Sequence, residues 1–286
     1  MVDKTLKHFV FTRFFSWKSA AYPHDIFDVE FLSKQLLVAN HVLKSLENQT
    51  NKNFELIFVL HPNFFDNPKY EFVFSTLKDS TALPIRFMRN AGKNYLFRPE
   101  INSELSSLIR KATDEYDFVI TTRMDFDDFV FKNAVADTQA KIDECDSVLS
   151  YGYNNGYDYI STSHELYSIL RVGDGHKSVF QSLILKSSFA KDLPCFTVEN
   201  FNHDATKAEL KKFLAQNNVE FSESMFQQNN QTNAYIYVKH EFSYMTLVRQ
   251  SGKIKIPDKV PLTTKDITKK QLEEEFGFYL ELNSIK

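Results

Sequence analysis

Asp117-Phe118-Val119-Ile120-Thr121-Thr122-Arg123-Met124-Asp125-Phe126-Asp127-Asp128 is an apolar, β-prone run that ends in three carboxylates. Such a short apolar run, bounded by polar residues, predicts a buried strand. Three carboxylates within four positions repel one another unless a cation neutralises them. Hard oxygen ligands of this kind suit Mg²⁺ or Mn²⁺. An acidic loop that faces solvent is the alternative, although a solvated loop would not need a buried strand to aim it.

Strands and helices are predicted to alternate before this run. Apolar runs predict strands at 8–14, 54–60 and 85–88, and a helical period of apolar residues predicts helices at 28–46, 70–77 and 104–112. Asp28 and Ser103 stand where helix N-caps belong. The order predicts an open α/β sheet of parallel strands with helices on its faces. Ligands bind such sheets outside the carboxyl ends of the strands, which is where the carboxylates lie.

The second half of the chain is less regular. Asn154-Asn155-Gly156-Tyr157 has the composition of a hairpin turn between two short strands. Further strands are predicted at 178–185 and 233–238, and helices at 132–144, 206–217 and 269–276. The last of these helices has an apolar face, for which packing on the domain, a dimer contact and a membrane contact are the alternatives.

Composition excludes some partners. The 286 residues carry a formal net charge of −3 with no basic run, which argues against a nucleic-acid partner. The two cysteines have no metal-type spacing and indicate ordinary thiols in a reducing compartment. The sequence shows neither a signal peptide nor the ~20 apolar residues that span a bilayer. We expect a cytoplasmic protein, and the sequence leaves open an association with the inner face of the membrane.

The motifs together resemble a known group of enzymes. The stretch from Arg89-Asn90-Ala91-Gly92 to Asp128 resembles the donor-binding half of GT-A nucleotide-sugar transferases. More narrowly, the chain from about residue 6 to about residue 250 is similar to a bacterial rhamnosyltransferase family. The shared elements are Thr12-Arg13-Phe14, the Arg-x-Asp-x-Asp-Asp element that ends at Asp128, Asn155-Gly156-Tyr157, and a late strand that leads into His240.

The resemblance implies a GT-A-like α/β fold and a metal-dependent glycosyltransferase. Such an enzyme moves a hexosyl or deoxyhexosyl group from a nucleotide-sugar donor to a glycan acceptor, with inversion, and commonly builds capsule or lipopolysaccharide. It also implies one domain over residues 1–255, with a nucleotide-sugar-binding half (1–130), an acceptor-binding half (131–255) and a C-terminal helical extension (256–286).

The implied metal site, for Mn²⁺ or Mg²⁺, comprises Asp125, Asp127, Asp128 and His240. Asp127 is the expected main ligand, Asp125 contacts ribose or acts through water, and Asp128 supports the site. A helix N-cap is the alternative for Asp128, and a structural role is the alternative for His240. The chain departs from the family after His240, where Glu241 follows in place of a glycine.

The implied donor-binding residues are Thr12, Arg13, Asn90, Lys93 and Arg123. Arginine offers a planar fork that suits a diphosphate. A surface salt bridge is the alternative for Arg13, and pairing with neighbouring Asp residues is the alternative for Arg123. For Asn90 and Lys93 the alternative is an ordinary polar loop.

Inversion requires a general base that takes the proton of the acceptor hydroxyl. The pair His203-Asp204 precedes a predicted helix, the place of the base in GT-A enzymes, so Asp204 is the candidate and Glu199 is its rival. The alternative is that Asp204 or Thr206 caps that helix. Aromatic residues that could stack on sugars, or simply belong to the core, are Trp17, Tyr22, Tyr151, Tyr153 and Tyr157.

Two other functions use similar residues. A nucleotidyltransferase or phosphotransferase also uses paired carboxylates and Mg²⁺, but usually has a glycine-rich loop near the first strand. Residues 8–30 contain no glycine, which disfavours that class. A non-catalytic protein that binds a nucleotide sugar or a glycan is the other alternative.

Overall fold

Strands and helices alternate through the first half of the chain. The computed structural model describes residues 4–16, 25–91, 97–161, 163–170, 179–202, 205–231, 233–240 and 267–277. Up to residue 125 its helices and strands are β1 (Leu6–Arg13), α1 (Val29–Glu47), β2 (Glu55–Leu60), α2 (Asn63–Asp66), α3 (Glu71–Asp79), β3 (Ile85–Arg89), α4 (Ser103–Glu115) and β4 (Phe118–Asp125).

The later part of the described chain contains more and shorter strands. These elements are β5 (Phe129–Val130), α5 (Ala134–Ala140), β6 (Val148–Tyr153), β7 (Asn155–Ile160), β8 (Glu165–Leu170), β9 (Gln181–Lys186), α6 (Ser187–Ala190), α7 (Thr206–Gln216), β10 (Phe226–Asn229), β11 (Tyr235–Lys239) and α8 (Lys269–Phe276). The predicted helix at 132–144 is therefore shorter than expected, because its last turn, Lys141–Glu144, is a 3₁₀ helix.

The first four strands are parallel neighbours in the order β4-β1-β2-β3. Arg13 stands opposite Asp125 in the β1–β4 register, so the last residues of these two strands lie side by side. The predicted parallel arrangement is confirmed. Parallel neighbours need a crossover connection, and the intervening helices supply it.

A single strand shows how the sheet is buried on both faces. Along β1, Val10 packs into a core with α1 and α3, whereas Phe9 and Phe11 pack into a second core with α4 and α7. All three side chains are at most 1% exposed. Burial of each apolar side chain of this size stabilises the folded state by roughly 1.5–3 kcal/mol relative to exposure to water. The alternation fixes the register, because a shift by one residue would exchange the two faces.

Two predicted helix caps had different outcomes. The Asp28 carboxylate accepts a hydrogen bond from the Phe31 amide at 2.8 Å and caps α1, as predicted. Ser103 does not cap α4. Asn102 does so, since its side chain accepts a hydrogen bond from the Leu105 amide at 3.0 Å and Ser103 is already helical.

Within the described residues, three later strands extend the large sheet to seven strands in the order β10-β6-β9-β4-β1-β2-β3. β9 is antiparallel to both β4 and β6, and β10 is parallel to β6. The predicted fold class, an α/β fold with an open and mostly parallel sheet flanked by helices, is confirmed. The carboxyl ends of β1, β4, β6 and β10 share one edge of this sheet.

A separate small sheet has the order β5-β11-β7-β8. The predicted hairpin at 154–157 is wrong, because Asn155 already belongs to β7 of the small sheet while Tyr153 ends β6 of the large one. Gly156 serves a close approach instead of a turn. A Cβ atom there would lie 2.6 Å from the Tyr235 carbonyl oxygen and 2.7 Å from its ring.

The helix α8 packs against the main body of the protein. Leu272 and Phe276 are each 1% exposed and belong to the same core as α1. The Lys132 amide donates a hydrogen bond to the Glu275 carbonyl at 2.8 Å. Among the described residues, no helix is both long and apolar enough to cross a membrane. Both cysteines are free thiols.

Candidate functional site

The segment from Asp125 to Phe129 joins the two sheets. β4 of the large sheet ends at Asp125, and β5 of the small sheet begins at Phe129. The three carboxylates thus lie on a short connection at the carboxyl edge of the large sheet. Their side chains have three different environments, which the sequence could not distinguish.

Asp125 pairs with the first strand. Its Oδ1 accepts a hydrogen bond from Arg13 Nη2 at 2.9 Å, as the register of β1 and β4 allows. The Asp125 side chain remains 44% exposed, and that of Arg13 is 20% exposed. The arrangement holds the guanidinium while one carboxylate stays accessible to solvent.

Arg13 also approaches a buried carboxylate. Its Nη1 lies 3.8 Å from Oε2 of Glu199, whose side chain is 2% exposed. Glu199 belongs to a 3₁₀ turn, Val198–Asn200, that is fixed to β4 because the Val198 amide donates to Thr121 Oγ1 at 3.0 Å. Arg13 therefore stands between a half-exposed carboxylate and a buried one.

Asp127 lies beside His240, the residue that follows β11. Its Oδ2 is 3.0 Å from His240 Nε2, and the two side chains are 15% and 8% exposed. A carboxylate oxygen and an imidazole nitrogen are two donor atoms of the kind that metals bind in proteins. In the described part of the chain, no group of three or more His, Cys, Asp or Glu residues could hold a metal ion.

Asp128 is directed away from solvent. The residue is 0% exposed, and its Oδ1 accepts a hydrogen bond from the Val238 amide of β11 at 2.8 Å. The alternative that Asp128 caps a helix is wrong, because a short strand follows it and α5 begins only at Ala134. Asp128 thus stabilises the backbone of the small sheet.

The predicted donor-binding residues have mixed positions. Thr12 is fully buried within β1. Asn90 is also fully buried and donates from Nδ2 to the Ser16 carbonyl at 3.0 Å, so it fixes the backbone that follows β1. Lys93 lies outside the described residues, as do Trp17 and Tyr22.

Arg123 contacts a glutamine. Its Nη2 donates to Gln181 Oε1 at 2.8 Å, and Gln181 Nε2 donates to Thr206 Oγ1 at 2.8 Å. Thr206 Oγ1 in turn donates to the Asn202 carbonyl at 3.0 Å. The last two residues of this chain of hydrogen bonds, Thr206 and Asn202, flank His203 and Asp204 in the sequence. His203 and Asp204 themselves lie outside the described residues.

The three later aromatic candidates are buried. Tyr151, Tyr153 and Tyr157 are 2%, 0% and 4% exposed and belong to the hydrophobic core. Burial raises the pKa of Tyr153 well above its usual value. The Tyr151 hydroxyl accepts a hydrogen bond from Asn229 Nδ2 at 2.7 Å. These contacts favour the structural alternative over sugar stacking.

His41 lies on α1 near this site, and no sequence motif marks it. Its ring stacks on Phe129 with a centroid separation of 5.1 Å. Burial, and then the nearby His240, lower the pKa of His41 from 6.5 to about 4. Its position on a regular amphipathic helix gave no sign of this proximity, which depends on where β5 and β11 pack.

Comparisons with known proteins give only distant matches. No family model and no curated protein matches the chain, so the specific resemblance to rhamnosyltransferases stays a prediction. Among solved structures, Staphylococcus aureus TarS is 14% identical with a TM-score of 0.37; the match covers 85% of this chain and 38% of that one. This chain thus spans well under half of that protein's length.

Two further matches are a transferase and a synthase. The mannosyltransferase PcManGT of Pyrobaculum calidifontis, solved with GDP-Man and Mn²⁺, is 8% identical with a TM-score of 0.41, over 83% of this chain and 57% of that one. The 4-diphosphocytidyl-2C-methyl-D-erythritol synthase of Anaerococcus prevotii is 12% identical with a TM-score of 0.32, over 88% and 92%. Likenesses at this level do not decide between transfer of a sugar and transfer of a nucleotide.

Proposed function

We propose that this chain is a metal-dependent glycosyltransferase that moves a hexosyl or deoxyhexosyl group from a nucleoside-diphosphate donor to a glycan hydroxyl. The observation that carries the proposal is the Asp127–His240 pair, with donor atoms 3.0 Å apart. The pair lies just beyond the carboxyl end of β4, the edge at which open α/β sheets bind ligands.

Asp127 Oδ2 and His240 Nε2 are two of the donor atoms that a divalent cation would need. Asp127 and His240 would hold Mn²⁺ or Mg²⁺, with phosphate oxygens and water as the other ligands, which is the usual arrangement when few carboxylates are available. When bound, the cation neutralises negative charge on the departing nucleoside diphosphate.

Arg13 and Asp125 would bind the nucleotide. Their 2.9 Å contact orients Asp125, whose half-exposed carboxylate can accept hydrogen bonds from ribose hydroxyls. The Arg13 guanidinium is fixed between Asp125 and Glu199, so it meets a phosphate without first losing much rotational freedom.

Asp204 is the proposed general base, with His203 beside it. The hydrogen bonds from Arg123 through Gln181 to Thr206 tie the start of α7, which follows Asp204 in the sequence, to β4. Glu199 is the weaker candidate, since at 4% exposure it offers little access to an acceptor hydroxyl. The proposal includes inversion, and it places the acceptor on the half that spans residues 131–255.

The first test is a thermal-shift screen of UDP-, GDP-, dTDP- and CMP-sugars with and without Mn²⁺. A ligand that binds only the folded protein raises its melting temperature, so donors of one nucleotide class should stabilise the protein in Mn²⁺. Asp127→Ala should abolish the shift. Asp143→Ala, which removes a 76% exposed carboxylate in a salt bridge with Lys4, is the matched control and should keep it.

Turnover separates the remaining alternatives. Release of nucleoside diphosphate with a glycan acceptor supports the proposal. Stabilisation by a nucleotide sugar without release in any acceptor mixture would identify a binding protein instead. Formation of pyrophosphate from a nucleoside triphosphate and a sugar phosphate would identify a nucleotidyltransferase.

A further inference from the structure

β11, the strand that leads to His240, pairs on one edge with β5, the strand that follows Asp127 and Asp128. In the antiparallel pairing of β5 and β11, Val130 stands opposite Tyr235 and Phe129 opposite Ile236. The backbone pairing stops there, and the next contact is made by a side chain. Asp128 Oδ1 accepts the Val238 amide at 2.8 Å, so the carboxylate extends the ladder where β5 has ended.

The opposite side of β11 is held as well. β7 pairs with it in parallel as far as Lys239 opposite Ile160, and the Lys239 ammonium forms a buried ion pair with Asp158. The Ser161 amide donates to the Lys239 carbonyl at 3.1 Å. His240 therefore follows directly after a backbone fixed on both edges.

Asp128 is adjacent in sequence to Asp127, and Val238 precedes His240 by two residues. One hydrogen bond thus joins the two backbones that carry the two proposed metal ligands. Its acceptor is a fully buried side-chain oxygen, so water does not compete for the Val238 amide. Burial also separates Asp128 from the place where a ligand would arrive.

We propose that Asp128 is a positioning residue that sets the spacing of Asp127 and His240, and thereby the affinity for the divalent cation, without ligating the cation itself. This inference rests on the proposed function. It separates the three carboxylates by role: Asp125 for the nucleotide, Asp127 for the cation, and Asp128 for the strand that brings His240.

The test measures Mn²⁺ binding by electron paramagnetic resonance, with inorganic pyrophosphate present in place of a donor. Asp128→Ala should weaken Mn²⁺ binding by about tenfold to a hundredfold, as for other residues that orient metal ligands. Asp128→Asn keeps an oxygen that can accept the Val238 amide, and should bind Mn²⁺ within about threefold of the wild type. A loss in Asp128→Asn as large as that in Asp127→Ala would show that Asp128 is a ligand and overturn the proposal.

Hydrogen exchange gives a readout that needs no metal. Asp128→Ala should speed exchange of the Val238 amide, whereas Asp128→Asn should largely retain its protection. The matched control is Asn102→Ala, which removes another buried side-chain acceptor of a backbone amide, that of Leu105, and should leave Mn²⁺ affinity unchanged.

The outcomes distinguish the two proposals. A wild-type protein that binds no Mn²⁺ with pyrophosphate would remove the metal from the proposed function and the positioning role with it. Mn²⁺ binding by the wild type that Asp128→Ala leaves unchanged would overturn the positioning role alone. Should Asp128→Ala fail to fold, the comparison of Asp128→Asn with Asp127→Ala still decides between ligand and positioning residue.

Discussion

The two sheets are built in different ways. In the large sheet, four parallel neighbours follow one another within residues 6–125, each separated from the next by helix. The small sheet gathers strands of two to six residues from 129–239, and its β5–β11 pairing joins residues about a hundred positions apart. The large sheet supplies Arg13 and Asp125, and the small sheet supplies His240. The difference teaches that half of the proposed site depends on local folding and half on long-range pairing.

The largest effect should come from Asp127, on the connection between the two sheets. Asp127→Ala removes the proposed main metal ligand, and sugar transfer should fall by at least about a hundredfold to a thousandfold, the usual loss when a key electrostatic group is removed. The melting temperature should change little, because the side chain is not part of the hydrophobic core. Steady-state release of nucleoside diphosphate measures the effect. Transfer at the wild-type rate would contradict the assignment.

Loss of a side chain from the large-sheet half of the site should reduce activity less. Arg13→Ala should lower kcat/KM by about tenfold to a hundredfold, since the cation would still be bound. It should also destabilise the fold by about 1–3 kcal/mol, because buried Glu199 loses its neighbouring cation. Glu199→Gln in the Arg13→Ala background should restore part of that stability, measured by urea denaturation. A double variant less stable than Arg13→Ala would show that the pair is not coupled in this way.

The packing of the small sheet can be broken without touching a proposed ligand. Gly156→Ala places a methyl group within 2.7 Å of Tyr235, so β7 and β11 must separate. We expect a loss of about 1–3 kcal/mol, typical of overpacking, together with weaker Mn²⁺ binding. Unchanged stability in thermal unfolding would show that the contact relaxes freely.

The most gradual effect concerns pH. His8 of β1 is buried, with Nε2 2.7 Å from Thr122 Oγ1, and burial lowers its pKa from 6.5 to about 3. The unfolded chain therefore binds a proton that the folded chain does not between these values. The stabilising contribution is complete above about pH 6.5 and is lost as the pH falls towards about 3, by up to about 1.4 kcal/mol per pH unit.

Denaturation between pH 7 and pH 4 measures this dependence. His8→Gln should make the dependence of stability on pH less steep over the whole range. The pKa of His41 is lowered to about 4, so its protonation should also reduce stability as the pH falls, but over a narrower pH range. Equal slopes in the wild type and in His8→Gln would contradict the prediction for the large sheet.

The same contrast explains what could be predicted from the sequence. The strands of the first half could be, because buried parallel strands are apolar runs and the intervening helices are amphipathic. The pairing of the small sheet could not be. The strand predicted at 233–238 is present as β11, but a two-residue strand such as β5 has no pattern of its own. Asn155-Gly156 was misassigned as a turn because its glycine serves a distant contact with Tyr235. Neither the direction of Asp128 nor the place of His41 follows from local sequence.

The late position of His240 in the chain has a consequence for folding during synthesis. Synthesis proceeds from the amino terminus, so β1 to β4 are complete long before β11 has been made. β11, and α8 behind it, must wait for a hundred or more further residues. A nascent chain could thus contain the parallel strands β1 to β4 while it still lacks His240. The capacity to bind a cation would therefore be among the last properties that the chain acquires.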